Sequence, residues 1–308
     1  MLEKPASAVL PALALKRRPR IDYYPYLLLA PALIVLTIVM LYPILVTVQL
    51  VVTDEWLMKS GSRFVGLENL VSLAQDPRFG AAVVRSIVWT LGSMVPSFVI
   101  GLALALLVNR PFRGKELVRG LLLVPWVIPP IVIGLIWRWI FDEFYGLYNY
   151  YLLALGLITE PMTILGDINH AMAGVILASN WMSIPFPFIT CLAGLQAIST
   201  EYYEAAKADG ANPWQLFWNV TWPLLRPIVS VTLILMFIWT FNSFDLVWAL
   251  TRGGPKDATQ ILSLEAYRVT FQEGKLSYGA TISVAMLLIL LVVATVYVRR
   301  FYPREEEY

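Results

Sequence analysis

The chain has 308 residues, 58% of them hydrophobic and 14% charged, with a mean hydropathy of +0.68. A soluble domain averages about 25% charged residues, so a water-soluble globule is excluded and a polytopic membrane protein is expected. One cysteine (Cys191) rules out an internal disulfide and one histidine (His170) rules out a Cys/His zinc cluster, while the formal net charge of +2 says little because distribution matters more than total; no nucleic-acid partner is expected.

In chain order, residues 1–24 come first and read as a cytoplasmic tail. Their basic cluster, Lys16, Arg17, Arg18 and Arg20, follows a short apolar patch, the reverse of a signal peptide. A membrane helix needs about 20 apolar residues. Six stretches meet that demand, at roughly 27–51, 83–107, 119–140, 172–195, 227–250 and 278–298, within a permease domain of 25–300. The run 144–159 is short, holds two Gly and starts with a cluster of Tyr, and so reads as an interfacial helix. Residues 301–308 form a second tail.

Six spans place both termini on one side. Fourteen Lys and Arg then fall on that side, in the tails, the 108–118 loop with Arg119 and the 196–226 loop, against seven on the other. The positive-inside rule makes the richer side cytoplasmic. Cys191 reads as a small packing residue within the fourth span. Arg138 and Asp245 sit near the predicted outer ends of spans three and five, where an outer-leaflet ion pair or snorkelling is the favoured reading. Pro96, Pro125, Pro129, Pro130, Pro185 and Pro187 fall within spans and free backbone carbonyls there.

The cytoplasmic loop 196–226 contains "EYYEAAKADGANPWQLFWNVTWPLLRP". Ala205, Ala206 and Ala208 favour helix, Gly210 suits a left-handed helix end, and Pro213 can open a second helix after a corner. Exposed Glu204 and Asp209 would offer carboxylates to a basic partner, while a plain solvated linker explains the same composition. The spacing Glu204-Ala205-Ala206, three residues, Gly210, nine residues, then Val220, Thr221, Trp222 and Pro223 resembles the EAA loop (E-A-A-x3-G-x9-I-x-L-P) of binding-protein-dependent ABC importer permeases. Val220 and Trp222 replace that pattern's Ile and Leu. "FNSFDLVWALTRGGP", "YPILVTVQL", "FVGLENL" and "FRGKELVRGLLLVPWVIPPIV" look like the carbohydrate-importing, maltose-type subfamily, although the 52–82 loop is too short for the large extracellular domain of the enteric form.

The resemblance implies an all-α, six-span type I (MetI-like) permease fold with a cytoplasmic coupling helix. Glu204, Ala205, Ala206, Asp209, Gly210 and Pro223 would then dock an ATP-binding subunit. The implied partners are a second homologous permease, two ATP-binding subunits, an extracytoplasmic solute-binding protein, a sugar and the lipid bilayer. No G-x-x-x-x-G-K-[ST] motif occurs, so no cofactor is expected on this chain, and ATP and Mg would belong to the partner. Ser179, Met182, Ser183 and Phe186 share one helical face of span four; Trp239, Thr240 and Ser243 share one face of span five. Aligned through "NWMSIPF" and "TRGGP", these positions match sugar contacts of the maltose-type subunit, which carries amides or other aromatics at several of them. Ordinary helix packing remains the alternative, and the loop Gly253-Gly254-Pro255 would meet the solute-binding protein. Rival readings are a same-family permease for glycerol phosphate or a polyamine, an ion-coupled transporter, which needs buried acidic relays, and an intramembrane enzyme, for which no H-E-x-x-H or paired carboxylate lies within the spans.

Overall fold

A computed structural model describes residues 24–301. The two expected tails, with the basic cluster at 16–20, lie outside or at the very edge of the described residues. The chain divides into two compact units, Met1–Val46 and Thr47–Tyr308. The first contains the helix Tyr24–Leu36 and a π-helical turn, Thr37–Leu41. The leucines, isoleucines and valines of these two elements are exposed, an arrangement suited to hydrocarbon and not to water.

Five helices are long and apolar enough to span a membrane: Tyr26–Val51, Pro77–Val108, Ala171–Ala197, Pro213–Phe241 and Leu276–Arg300. The pair Lys115–Val127 and Pro130–Ile140 makes a sixth, broken span bent by 97°. The expected third span, 119–140, is therefore not one helix. Pro130 forces Pro129 extended (ψ 139°), and Pro129 does the same to Ile128 (ψ 129°), so two consecutive residues leave helical geometry. The expected fifth span, 227–250, is also shifted. The helix begins at Pro213, ends at Phe241, and a separate helix, Asp245–Thr251, follows a turn. The run 144–159 contains the eight-residue helix Leu147–Ala154.

The second span organises the bundle. Asp76 caps it by accepting the Arg78 amide at 2.8 Å, with Pro77 at the first helical position. One face carries Ser86, Thr90, Ser93, Ser97, Gly101 and Ala105, all buried. The opposite face carries Val84, Val88, Leu91, Val95 and Val99, all exposed. Small residues face protein and branched residues face lipid, as hydrocarbon removes the usual drive to bury the larger side chains. At Gly101 the helices touch: a Cβ would lie 2.7 Å from Pro187 Cγ and 2.9 Å from the Phe188 backbone nitrogen. Cys191 is fully buried in the cluster that also contains Phe98, Phe188 and Leu225, which is the packing role expected of it.

The expected all-α membrane fold also carries one short antiparallel hairpin, Thr53–Trp56 with Lys59–Phe64, in the register Thr53↔Phe64 and Trp56↔Lys59. Its second strand, KSGSRF, lacks an apolar face, so no alternation announces it. The hairpin is held by distant partners. The Glu55 amide donates to Ser277 Oγ at 2.9 Å, and Asn69 Nδ2 reaches the carbonyls of Val51 and Thr53 at 2.8 Å each. Tyr278 donates to Asp76 at 3.0 Å, and Arg78 pairs with Glu273 at 3.2 Å. Beyond residue 251, the buried Glu265 pairs with Arg268 at 2.6 Å, and Arg268 also reaches Asp257 at 2.8 Å. Burial opposes the Arg268 charge, but the Glu265 hydrogen bond and the nearby carboxylates outweigh it and raise the guanidinium pKa.

Candidate functional site

The molecule carries a cavity among the spans and a capped corner helix in the 196–226 segment. The cavity, of about 220 Å³, is lined by Trp89, Trp126, Ile128, Pro130, Ser179, Met182, Ser183, Phe186, Met236, Trp239, Thr240 and Ser243. All seven residues singled out in spans four and five are among these. Backbone irregularity explains where it opens. The third span breaks at Ile128–Pro129, between Trp126 and Pro130. In the fourth, Pro185 lacks a backbone amide and lies two residues after Ser183 and one before Phe186. Non-ideal backbone at membrane depth is tolerated where it lines a cavity.

Aromatic contacts set the walls. Phe186 meets Trp239 edge-on at 4.8 Å between ring centroids and Trp126 at 5.9 Å. Trp89 donates its indole N–H to the Thr240 carbonyl at 2.9 Å, tying the second span to the end of the fifth. The Ser243 carbonyl is likewise taken by Ser263 Oγ at 2.6 Å. Trp89, Trp126, Ile128 and Met236 were not singled out from sequence, and Pro130 only as a proline within a span. The one available signal was "PWVIPP", where a Trp precedes the only double proline inside a span.

The corner helix is Thr200–Ala208. Gly210 follows with φ +84°; its amide donates to the Lys207 carbonyl at 3.0 Å and the Ala211 amide to the Ala206 carbonyl at 3.0 Å. This pair of bonds is a Schellman C-cap, which a left-handed residue makes possible. Asn212 and Gln215 then form a reciprocal capping box, each bond 2.9 Å, with Pro213 opening the next helix. A hard stop and a hard start are thus separated by only a few residues. Tyr203 OH and Thr221 Oγ1 brace the two arms at 3.1 Å. No residue of Thr200–Ala208 is buried; Glu204, Ala205, Asp209 and Gly210 are exposed, Ala206 is half-buried, and Pro223 is exposed near the start of the helix Trp222–Phe241.

Arg138 and Asp245 are both exposed, and neither forms an ion pair among the described residues. Of the two expected alternatives, an outer-leaflet ion pair or snorkelling, the ion pair is not formed among the described residues. Each charge instead matches its helix: Arg138 lies in the last turn of Pro130–Ile140 and Asp245 in the first turn of Asp245–Thr251. Among the described residues no cluster of His, Cys, Asp or Glu has metal-binding geometry.

Residues 77–306 match the family described as binding-protein-dependent transport system inner membrane component. The trehalose/maltose transport system permease protein of Thermococcus litoralis is 31% identical over 274 residues, covering 89% of this chain and 92% of that one. The sulfoquinovosyl glycerol transport system permease protein of Agrobacterium fabrum is 35% identical over 277 residues, covering 89% and 88%. In three dimensions the chain superposes on a bacterial ABC transporter involved in importing the acidic polysaccharide alginate, with a TM-score of 0.76 at 22% identity, covering 91% of this chain and 96% of that one. That likeness shows the fold. The chain is a multi-pass membrane protein of a transporter family and not an enzyme, and it belongs to the binding-protein-dependent transport system inner membrane components, the permeases of ABC transporters.

Proposed function

We propose that this chain is a membrane-spanning subunit of an ATP-driven importer that carries a sugar into the cytoplasm by alternating access. The observation that carries the reading is mechanical. The fifth span runs for 29 residues, from Pro213 beside the corner helix through a π-helical turn at Phe217–Thr221 to Phe241 beside the cavity. At 1.5 Å per residue that is a rod of about 40 Å. One end abuts the exposed Glu204–Gly210 surface, and the other carries Trp239, Thr240 and, just past its end, Ser243.

In this reading Glu204, Ala205, Ala206, Asp209, Gly210 and Pro223 form the seat for an ATP-binding subunit. ATP and Mg sit on that partner. Two such subunits, a second related permease and an extracytoplasmic solute-binding protein complete the machine, and both termini of this chain face the cytoplasm. Closure of the ATP-binding subunits displaces the corner helix. The Schellman cap, the capping box and the Tyr203–Thr221 bond keep the corner stiff, so the displacement passes into the fifth span and changes access to the cavity. No covalent bond is made or broken on this chain.

A sugar is favoured because the cavity pairs hydroxyl side chains with aromatic faces, the combination that flat apolar ring faces edged with hydroxyls require. Relatives whose names include trehalose, maltose and starch degradation products support the same class. The test is co-expression with neighbouring subunit genes, purification of the complex, and ATP-dependent uptake of labelled sugars into proteoliposomes. Uptake of a sugar is expected. Uptake of only a polyamine or glycerol phosphate would refute the sugar assignment.

A further inference from the structure

We propose that the cargo accepted by this cavity is a neutral saccharide and that anionic sugars are rejected there. The inference rests on the sugar-importer reading above and narrows it. The structural neighbour imports an acidic polysaccharide, so the fold alone leaves the charge of the cargo open.

Charge gives the first argument. Among the described residues of this chain, none that lines the cavity is ionisable. Charged side chains line a different recess, of about 410 Å³, which holds Arg138, Asp142 and Glu143. A carboxylate or sulfonate entering the uncharged cavity would lose its hydration and meet no cation in exchange.

Hydroxyl bookkeeping gives the second. Ser and Thr in membrane helices commonly donate to the carbonyl one turn back. Thr190, Thr232, Thr251 and Thr281 do so here, at 3.0, 2.8, 3.1 and 2.8 Å. The cavity hydroxyls of Ser179, Ser183, Thr240 and Ser243 make no hydrogen bond among the described residues. Their donors and lone pairs remain available to a ligand. A hydroxyl both donates and accepts, as does each hydroxyl of a neutral sugar, whereas an ionised carboxylate only accepts. The neighbouring carbonyls of Thr240 and Ser243 are already occupied, so the free groups of that segment are its side chains.

Ring faces give the third. Trp239 is 52% exposed beside Phe186 and offers its indole to the apolar face of a pyranose.

The test uses the complete transporter complex in nanodiscs without its solute-binding protein, so that the cavity alone selects. Saturation-transfer NMR is run with neutral disaccharides and with hexuronic-acid disaccharides of the same linkages. Expected is a neutral-sugar signal that disappears in Trp239→Ala, with the acidic partner at least about 50-fold weaker, the scale of placing an uncompensated charge within a membrane helix bundle. ATP-driven uptake of the same panel, with the binding protein present, decides the matter where equilibrium binding is weak. An acidic sugar that binds or is carried as well as its neutral counterpart overturns the charge inference and leaves the sugar reading intact. Glycerol phosphate or a polyamine as the only cargo overturns both. A neutral signal that is absent from both assays, or that survives Trp239→Ala in both, also overturns the assignment to this cavity.

Discussion

Tyr203 and Thr221 meet hydroxyl to hydroxyl at 3.1 Å, joining the exposed corner helix to the root of the fifth span 18 residues later. Thr221 is buried, so the bond is partly shielded from water. It is the one side-chain hydrogen bond between the two arms among the described residues. Tyr203→Phe removes it while keeping the ring. We expect a loss of about 0.5–1.5 kcal/mol in stability, intact assembly, and less sugar carried per ATP hydrolysed. Parallel uptake and phosphate-release assays read that ratio; an unchanged ratio would show that the brace does not transmit motion.

Gly210 is a strain position and not a packing one. Its φ is +84° and a Cβ would meet nothing within 4 Å. Gly210→Ala should therefore cost about 1 kcal/mol from the left-handed backbone alone, with little loss of expression. Coupling should suffer more than thermal stability, as seen by comparing melting with sugar-stimulated ATP hydrolysis.

Gly101 is the opposite case. A Cβ there would strike Pro187 and the Phe188 backbone, and backbone cannot swing aside. Gly101→Val should separate the second and fourth spans, cost at least about 1–3 kcal/mol, and lower the yield of folded protein in detergent. Val99→Ala, two residues away on the exposed face, should be nearly silent.

The break in the third span is where the sequence was legible in kind but not in shape. Counting apolar residues found the stretch, because hydrophobic length is a local property. The 97° bend depends on two prolines in succession, and a single proline, Pro96, leaves the second span a continuous helix of 32 residues. The corner helix was readable in detail, because caps and turns use neighbouring residues: Gly210, Asn212 and Pro213 announce themselves. The hairpin was not, because Ser277 and Asn69 support it from afar. The cavity residues of spans four and five came from helical periodicity and family likeness. Trp89 was missed because its partner, the Thr240 carbonyl, lies 151 residues away.

Straightening that break gives a further prediction. Replacing both Pro129 and Pro130 by Ala restores amides and permits helix through Ile128, moving Trp126 and Pro130's position away from the cavity. Sugar uptake should fall at least about tenfold, on the scale of a misplaced binding group, while the complex still assembles. Retained uptake would detach the break from the transport path.

Acid sensitivity follows from Asp76. Burial opposes its charge, but the Arg78 amide, the Tyr278 hydroxyl and the Arg78 guanidinium together hold its pKa below the usual carboxylate value. A depressed folded-state pKa contributes stability above the unfolded value, near pH 4, and that contribution is lost as pH falls through the folded value. Asp76→Asn should thus lower stability at neutral pH, and the gap from wild type should close below about pH 4. Melting curves across that range check it; a gap independent of pH would assign the effect to shape and not charge.

The most direct measurement is sugar-dependent ATP hydrolysis and uptake by the reconstituted complex, wild type against Glu204→Lys. Glu204 is exposed and makes no hydrogen bond or ion pair among the described residues, so the substitution leaves the fold of this chain intact. The predicted result is that Glu204→Lys either releases the ATP-binding subunit or hydrolyses ATP without carrying sugar. Wild-type uptake and wild-type stimulation in Glu204→Lys would contradict the coupling role of the corner helix.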